Sequence, residues 1–172
     1  MKSGLTIKAD NAAAILESLK KLSGMDVLVG IPAENATRED GETLNNAEIG
    51  YLQSTGAEVE LNGQTVTLPP RPFLDVGIED SREVTTAHLK AAAELALEGK
   101  QDAAIRELEK AGQIARDAAK KVIGDGDRLH PLSEKTIQNR RDQGIPGDKP
   151  LYAHGYLLRS INYVVRDKNA TS

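Results

Sequence analysis

The chain has 172 residues, a formal net charge of −4 and 39% hydrophobic residues, which is an ordinary composition for one globular domain. It contains no cysteine, and this excludes a disulfide framework and a thiolate metal site. Its N-terminal residues include no apolar stretch long enough for a signal peptide or a membrane span. We therefore expect residues 1–172 to form a single domain that does not enter a membrane.

The first quarter of the chain predicts one helix and one strand. Apolar residues at helical spacing run from Asp10, a candidate N-cap, to Leu22. A β-branched run then predicts a strand from Met25 to Ile31. The polar and acidic stretch 33–44 predicts a mobile surface loop, because it has little apolar surface to bury.

Residues 45–68 predict a short helix and then a β-hairpin. The helix spans residues 45–54, and its pattern directs Ala47, Tyr51 and Leu52 inward. Asn62-Gly63 suits a two-residue turn in which both positions have positive φ. That turn pairs residue 61 with 64, 59 with 66 and 57 with 68, and it places one largely apolar face on the hairpin. The hairpin can pack on the preceding strand or project as an arm.

A proline-rich segment follows the hairpin and completes an arm of about residues 57–74. Its prolines fix φ and remove backbone donors, so the segment must be a stiff connector. Two interpretations are open for its central residues. They can dock on a neighbouring subunit, or the only phenylalanine of the chain can fill the core of its own fold. The candidate interface residues are Pro70, Arg71, Pro72 and Phe73.

The middle of the chain predicts two longer helices separated by Gly99. Asp80-Ser81-Arg82-Glu83 is a capping-box pattern that predicts the start of the first helix. The second begins at Gln101, and its alanine-rich stripe predicts close packing on another helix or a sheet. The expected fold is α+β, in which a small, mainly antiparallel sheet with a β-hairpin packs against two longer helices.

The C-terminal part predicts a helix capped by Ser133 that ends near Gly144, a helical turn over 156–160 and a returning strand over 161–165. Residues 128–168 form a basic segment with eight basic and four acidic side chains, so residues 1–127 carry a formal charge of −8. This asymmetry can orient the association of copies through opposite charges. The basic candidate interface residues are Arg140, Arg141 and Arg159.

Five segments, in order, carry a resemblance to a known family. They are Ile49-Gly50-Tyr51, Arg71-Pro72-Phe73, the helical stretch 80–123, the Pro131 to Arg141 element and the ending from Pro150 to Tyr163. Over about residues 27–165 the chain resembles the virion-morphogenesis and tail-completion proteins of tailed phages. One departure is His154, at a position where such proteins more often place a small or hydroxylated residue.

The resemblance implies a structural virion protein at the head–tail junction, which completes or caps the tail and joins it to the head connector. It implies a homo-oligomeric ring, expected to be a hexamer, that contacts tail-tube and head-connector proteins. Genome DNA would pass through this ring without sequence-specific binding. The protein would be assembled in the host bacterial cytoplasm and reside in the virion.

Enzymatic and metal-binding patterns are not recognisable in the sequence. The histidines His88, His130 and His154 lack the spacing of a zinc motif, and His88 is interpreted as structural. No glycine-rich phosphate loop or nucleophile elbow occurs. We therefore expect no enzyme activity, no catalytic residue, no cofactor and no metal. The alternative function is a nucleic-acid-binding module that uses the basic C-terminal segment.

Overall fold

The computed structural model describes residues 11–38, 43–61 and 63–168 and has an α+β fold. The elements in chain order are α1 (Ala12–Ser23), β1 (Met25–Gly30), α2 (Ala33–Ala36), α3 (Asn46–Thr55), β2 (Ala57–Leu61), β3 (Gln64–Leu68), α4 (Phe73–Leu97), α5 (Gln101–Asp125), α6 (Glu134–Asp142), α7 (Tyr156–Ser160) and β4 (Asn162–Asp167). The predicted fold class is confirmed. Among the helices of the described ranges, none is long and apolar enough to cross a membrane.

The two long helices α4 and α5 form an antiparallel pair. Gly99 connects them with a φ of +75°, a conformation that glycine adopts without steric cost, so the predicted break is confirmed. Near the other end of the pair, Gly77 of α4 lies against the backbone of Ala119 of α5. Residues with little or no side chain at this contact allow the two helix backbones to approach closely.

Strands β1 and β4 pair in an antiparallel sheet that packs on α5. The pairing runs from Met25 opposite Asp167 to Gly30 opposite Asn162, so the predicted return of the C-terminal strand is confirmed. Gly112 of α5 makes room for this sheet, because an added Cβ would lie 2.8 Å from Tyr163 Cγ. The absence of a side chain at one helix position thus sets the distance between the helix and the sheet.

The apolar core consists of two clusters at opposite ends of the helix pair. The Phe73 cluster joins the start of α4, the end of α5 and the C-terminal segment; its buried members are Phe73, Ala119, Val122, Ile123, Leu129, Leu157 and Ile161. The Ala92 cluster lies near the α4–α5 connection; its buried members are Ala92, Ala96, Ala104 and Leu108. Side chains from α1 and the β1–β4 sheet cover the second cluster.

The hairpin of β2 and β3 has the predicted register, with Ala57 opposite Leu68 and Val59 opposite Val66. Gly63 has a φ of +74°, as the predicted turn requires, and Asn62 lies outside the described residues. The hairpin is a sheet of its own and pairs with no other strand of the described chain. Val66, on the predicted apolar face, is 38% exposed. The hairpin therefore projects as an arm.

Helix α4 begins at Phe73, seven residues before the predicted start, so that prediction was wrong. Pro72 occupies the N-cap position, where its missing backbone donor removes no helical hydrogen bond. The capping-box pattern lies inside the helix, and Ser81 is buried. Its hydroxyl donates to the carbonyl oxygens of Gly77 and Ile78, a bonding mode available to serine within helices.

The stretch 33–44 also differs from its prediction. Residues 33–36 form the helical turn α2, and Ala36 is buried, so the first part of the stretch is not a mobile loop. Residues 39–42 lie outside the described part of the chain, as does Asp10, the predicted cap of α1. Polar contacts also hold this turn, since Asn35 Oδ1 accepts from Asn162 Nδ2 and Thr37 O accepts from Asn46 Nδ2.

Helix α3 forms where predicted, but it presents a different face to the core. Tyr51 is 69% exposed, whereas Gly50 is buried. An added Cβ at Gly50 would lie 2.8 Å from Ile31 Cδ1 and 3.5 Å from Leu157 Cδ1. Gly50 is thus the point at which α3 contacts the core, and the inward placement of Tyr51 was wrong.

Candidate functional site

A cleft of about 590 Å³ lies between α3, the base of the hairpin and the C-terminal segment. We call it the arginine cleft and define it by its lining residues, which are Arg38, Asn46, Ile49, Gln53, Val66 to Pro69, Arg71, His130 to Ser133, Thr136, Arg140, Leu151 and Ala153 to Leu157. None of them is aspartate or glutamate, although the chain carries 26 acidic residues. The cleft is therefore cationic in a protein whose net charge is negative.

Arg71 is only 6% exposed and forms part of the wall of the cleft. Its guanidinium donates to three oxygens of neutral groups: His130 O at 2.7 Å, Gln53 Oε1 at 3.1 Å and Pro131 O at 3.1 Å. Its backbone N–H donates to Gln53 O at 2.7 Å. These bonds fasten the proline-rich segment to α3 and to the chain that follows α5.

Arg140 projects from α6 into the same cleft and is half-buried. Its Nη1 donates to Lys149 O at 3.0 Å and to Tyr152 O at 3.3 Å. Burial lowers the pKa of the Arg71 guanidinium, and the positive charge of Arg140 lowers it further. Burial likewise lowers the pKa of Arg140, while Asp148 acts in the opposite direction. Arg140 is thus close enough to disfavour the charge of Arg71.

Tyr156 carries two guanidinium groups against its ring at the edge of the cleft. The Cζ atom of Arg159 lies 5.0 Å from the ring centroid, and that of Arg38 lies 5.7 Å from it. Both distances are those of cation–π contacts. Tyr156 remains 43% exposed, so this edge offers an aromatic surface and positive charge to a ligand.

The candidate interface residues of the proline-rich segment divide into two groups. Pro70 is exposed and Pro72 is half-buried. Phe73 has no exposed surface, and Arg71 is nearly as buried. Arg71 forms part of the wall of the arginine cleft, and its role in a subunit interface stays a prediction. Phe73 is not available to a neighbouring subunit in this fold, so its docking interpretation was wrong. Phe73 instead fills the core, as the other interpretation predicted.

The three basic candidates of the C-terminal segment lie in different surroundings. Arg140 lines the cleft, and Arg159 adjoins it through Tyr156. Arg141 is exposed on α6, next to Lys135 in a separate shallow depression. The structure therefore brings Arg71, Arg140 and Arg159 to one region and leaves Arg141 outside it. Their role in a subunit interface stays a prediction.

Sequence reasoning missed two residues of the cleft, Arg38 and Asn46. Asn46 is 5% exposed, and its Nδ2 donates to Thr37 O at 3.5 Å. Its Oδ1 is buried in the wall without a hydrogen-bond partner among the described residues, an arrangement that costs about 1–3 kcal/mol. The approach of Arg38 to Tyr156 has no signal in the sequence, because it depends on the fold.

Titratable side chains outside the cleft form a small network between α4 and α5. His88 Nδ1 lies 2.6 Å from Glu107 Oε2, and Lys110 Nζ donates to Glu107 Oε1 at 2.6 Å. These hydrogen bonds, with that from Lys110 the stronger influence, lower the pKa of Glu107. His88 thus links the two helices, in line with its structural interpretation. Residues 11–38, 43–61 and 63–168 contain no group of three or more His, Asp or Glu side chains that could hold a metal ion.

No family model, curated protein or solved structure matches this chain.

Proposed function

We propose that the chain is a non-enzymatic structural virion protein of the head–tail junction. In this proposal, copies of the chain form a ring, with six copies expected, that completes or caps the tail and joins it to the head connector. DNA passes through the ring without sequence-specific contacts. The sequence resemblance supports this role, and one structural observation, the isolated hairpin, supports assembly.

The β2–β3 hairpin has the properties of an arm that gains its partner on assembly. A two-stranded ribbon alone is marginally stable in water, yet this one pairs with no other strand of the described chain. It also exposes part of an apolar face at Val66. Burial of that face on a second copy would stabilise both the ribbon and the contact.

Helix α4 offers apolar surface for the other side of such a contact. Ile78, Val84 and Leu89 are 41%, 51% and 44% exposed. A ring needs two different surfaces on each copy, because each subunit binds the next in a head-to-tail manner. We propose that the hairpin supplies one surface and the exposed apolar residues of α4 supply the other.

A charged residue on the apolar face of the hairpin tests this proposal. We expect Val66→Glu to remain folded, because the side chain is already partly exposed, but to lose ring formation, because a charged carboxylate would replace the apolar group that the contact buries. Mass photometry and sedimentation velocity of the purified protein measure the number of copies. The wild-type chain is expected to form a closed ring and the variant to stay monomeric.

Thr65→Glu is the matched control, since Thr65 lies next to Val66 on the same strand and its side chain points to the other face. This variant should form rings like the wild-type chain. A wild-type protein that stays monomeric at all concentrations, or a Val66→Glu variant that forms the same ring, would contradict the assembly role. Electron micrographs of particles made without the protein test the position: heads and tails should be present but unjoined.

A nucleic-acid-binding module is the second candidate. Lys135 and Arg141 are exposed on α6 and form no salt bridge within the described chain, so they are available to phosphate groups. Other basic residues of the segment are occupied, since Arg140 and Lys149 donate to carbonyl oxygens of the chain. Tight, salt-sensitive retardation of DNA by the isolated monomer in a mobility-shift assay would favour this candidate over the structural role.

A further inference from the structure

The arginine cleft contains positive charge that no carboxylate of the described residues pairs in a salt bridge. Arg71 and Arg140 both line it, and each donates only to uncharged oxygens. No salt bridge within the described chain joins either of them to a carboxylate, and Asp148 influences Arg140 without forming one. Because two like charges in a partly buried cleft disfavour each other, an anionic group placed between them would be bound favourably.

A free strand edge borders the same cleft. Val66, Thr67 and Leu68 all line it. Successive side chains of a strand point to opposite faces, so three consecutive lining residues indicate that the backbone edge of β3 faces the cleft. The two-residue turn makes the 61–64 pair hydrogen-bonded, and the alternation of such pairs leaves the N–H and C=O groups of Thr65 and Thr67 directed away from β2.

Apolar side chains supply the remainder of the lining. Ile49, Leu132 and Leu151 lie among the cationic residues, and Tyr156 forms the aromatic edge. A ligand that satisfies this surface needs main-chain donors and acceptors for the strand edge, a negative charge for the arginines and apolar groups for the walls. An extended peptide that contains aspartate or glutamate between apolar residues combines all three.

We propose that the arginine cleft binds an extended acidic segment of a partner protein, which pairs with the free edge of β3 and places a carboxylate between Arg71 and Arg140. This mode is strand addition, in which main-chain hydrogen bonds give affinity and side-chain contacts give specificity. A nucleic acid would use the positive charge but would leave the strand edge unpaired. The inference does not depend on ring formation, since all of these groups belong to one copy of the chain.

Fluorescence anisotropy with the full chain and a labelled peptide tests the proposal. The probe is Thr-Val-Glu-Val-Thr-Val at low ionic strength, and the reference is the same peptide with Gln in place of Glu. We expect the Glu peptide to bind about tenfold more tightly than the Gln peptide, because a charged acceptor strengthens hydrogen bonds from guanidinium groups. Equal binding of the two peptides, or no binding of the Glu peptide, would overturn the proposal.

Two N-methylated versions of the Glu peptide test strand pairing without any change in the protein. In one version every second backbone amide of the peptide is methylated, and in the other version the remaining amides are methylated. Only one set of amides faces β3 in a paired strand, so one version should lose binding and the other should keep it. Equal binding by both versions, or equal loss, would contradict strand addition.

Arg38→Gln tests the charge of the cleft, because this residue lies at the cleft's edge and makes no hydrogen bond with the described residues. It should weaken binding of the Glu peptide several-fold and leave the Gln peptide unchanged. Lys135→Gln makes the same change of charge on α6, outside the cleft, and should have no effect on either peptide. Equal effects of the two substitutions would indicate non-specific attraction and overturn the proposal.

Competition distinguishes the class of ligand. A single-stranded thymidine oligonucleotide that binds more tightly than the Glu peptide and displaces it would assign the cleft to nucleic acid. Displacement by millimolar inorganic phosphate would assign it to a free anion. Either result overturns the peptide proposal. A chain that stays monomeric yet binds the Glu peptide would contradict the proposed ring and support the proposed peptide site. A chain that forms a ring but does not bind the Glu peptide would support the ring and contradict the peptide site.

Discussion

Replacement of Phe73 by alanine is expected to lower the free energy of unfolding by about 3–5 kcal/mol. The side chain has no exposed surface and lies in the Phe73 cluster between α4, α5 and the C-terminal segment. Its removal takes away apolar burial and leaves a cavity that several elements would have to fill by moving. Urea unfolding followed by circular dichroism measures the loss, with m values compared between the variants.

Tyr51→Ala is the control for this prediction. It also truncates an aromatic side chain, on the helix that contacts the Phe73 cluster, but Tyr51 is 69% exposed. Its replacement should change the free energy of unfolding by no more than about 0.5 kcal/mol. Equal losses in the two variants would mean that Phe73 is not the core residue described above. An unchanged Phe73→Ala variant that fails only in assembly would restore the docking interpretation.

Features that depend on local chemistry could be predicted from the sequence. The Asn62-Gly63 turn fixes the hairpin register, since only one pairing keeps the apolar residues on one face. Ser133 caps α6 by accepting from Thr136 N, and Gly99 separates the long helices. In each case the residues that determine the structure lie within a few positions of one another, and no distant contact overrides them.

Features that depend on distant contacts could not be predicted in the same way. Phe73 and Arg71 resembled an exposed arm because two neighbouring prolines are rigid and no local partner is visible. Their burial requires α5, the 129–131 segment and α3, and these elements meet them only in the folded chain. The start of α4 was misplaced for a related reason. A capping-box pattern is also compatible with a helix interior when its serine bonds back to the preceding turn.

In the arginine cleft too, single residues could be selected from the sequence, but their proximity in the fold could not. Arg140 was selected because it is one of several basic residues on a predicted short helix, and Arg159 because its segment is basic. Arg140 and Arg71 line the same cleft because the fold brings α6 and the proline-rich segment to it, and neither segment encodes this proximity alone. Only the contact between Tyr156 and Arg159 was foreseeable, since residues three apart on a helix are neighbours.

Replacement of Gly77 by alanine is expected to destabilise the protein, although alanine is the better helix former. An added Cβ would overlap the Cα and N atoms of Ala119 and lie 2.9 Å from the carbonyl carbon of Ala118. These are backbone atoms of α5, so a rotamer change cannot relieve the overlap and the helices must separate. Overpacking of this kind costs about 1–3 kcal/mol or more, against a gain in helix propensity of about 1 kcal/mol. Thermal and urea unfolding measure the net loss.

Gly124→Ala measures the contribution of helix propensity to stability in the same helix pair, without overpacking. Gly124 lies in the last turn of α5, and an added Cβ there has no neighbour within 4 Å. This substitution should therefore stabilise the protein by about 0.5–1 kcal/mol, so the two glycine substitutions should have opposite signs. If Gly77→Ala stabilised the protein as much as Gly124→Ala, the close approach of α4 and α5 at this point would be wrong. Opposite signs would mean that Gly77 sets the separation of α4 and α5 beside the Phe73 cluster, and hence that the position of α4 depends on the absence of one methyl group.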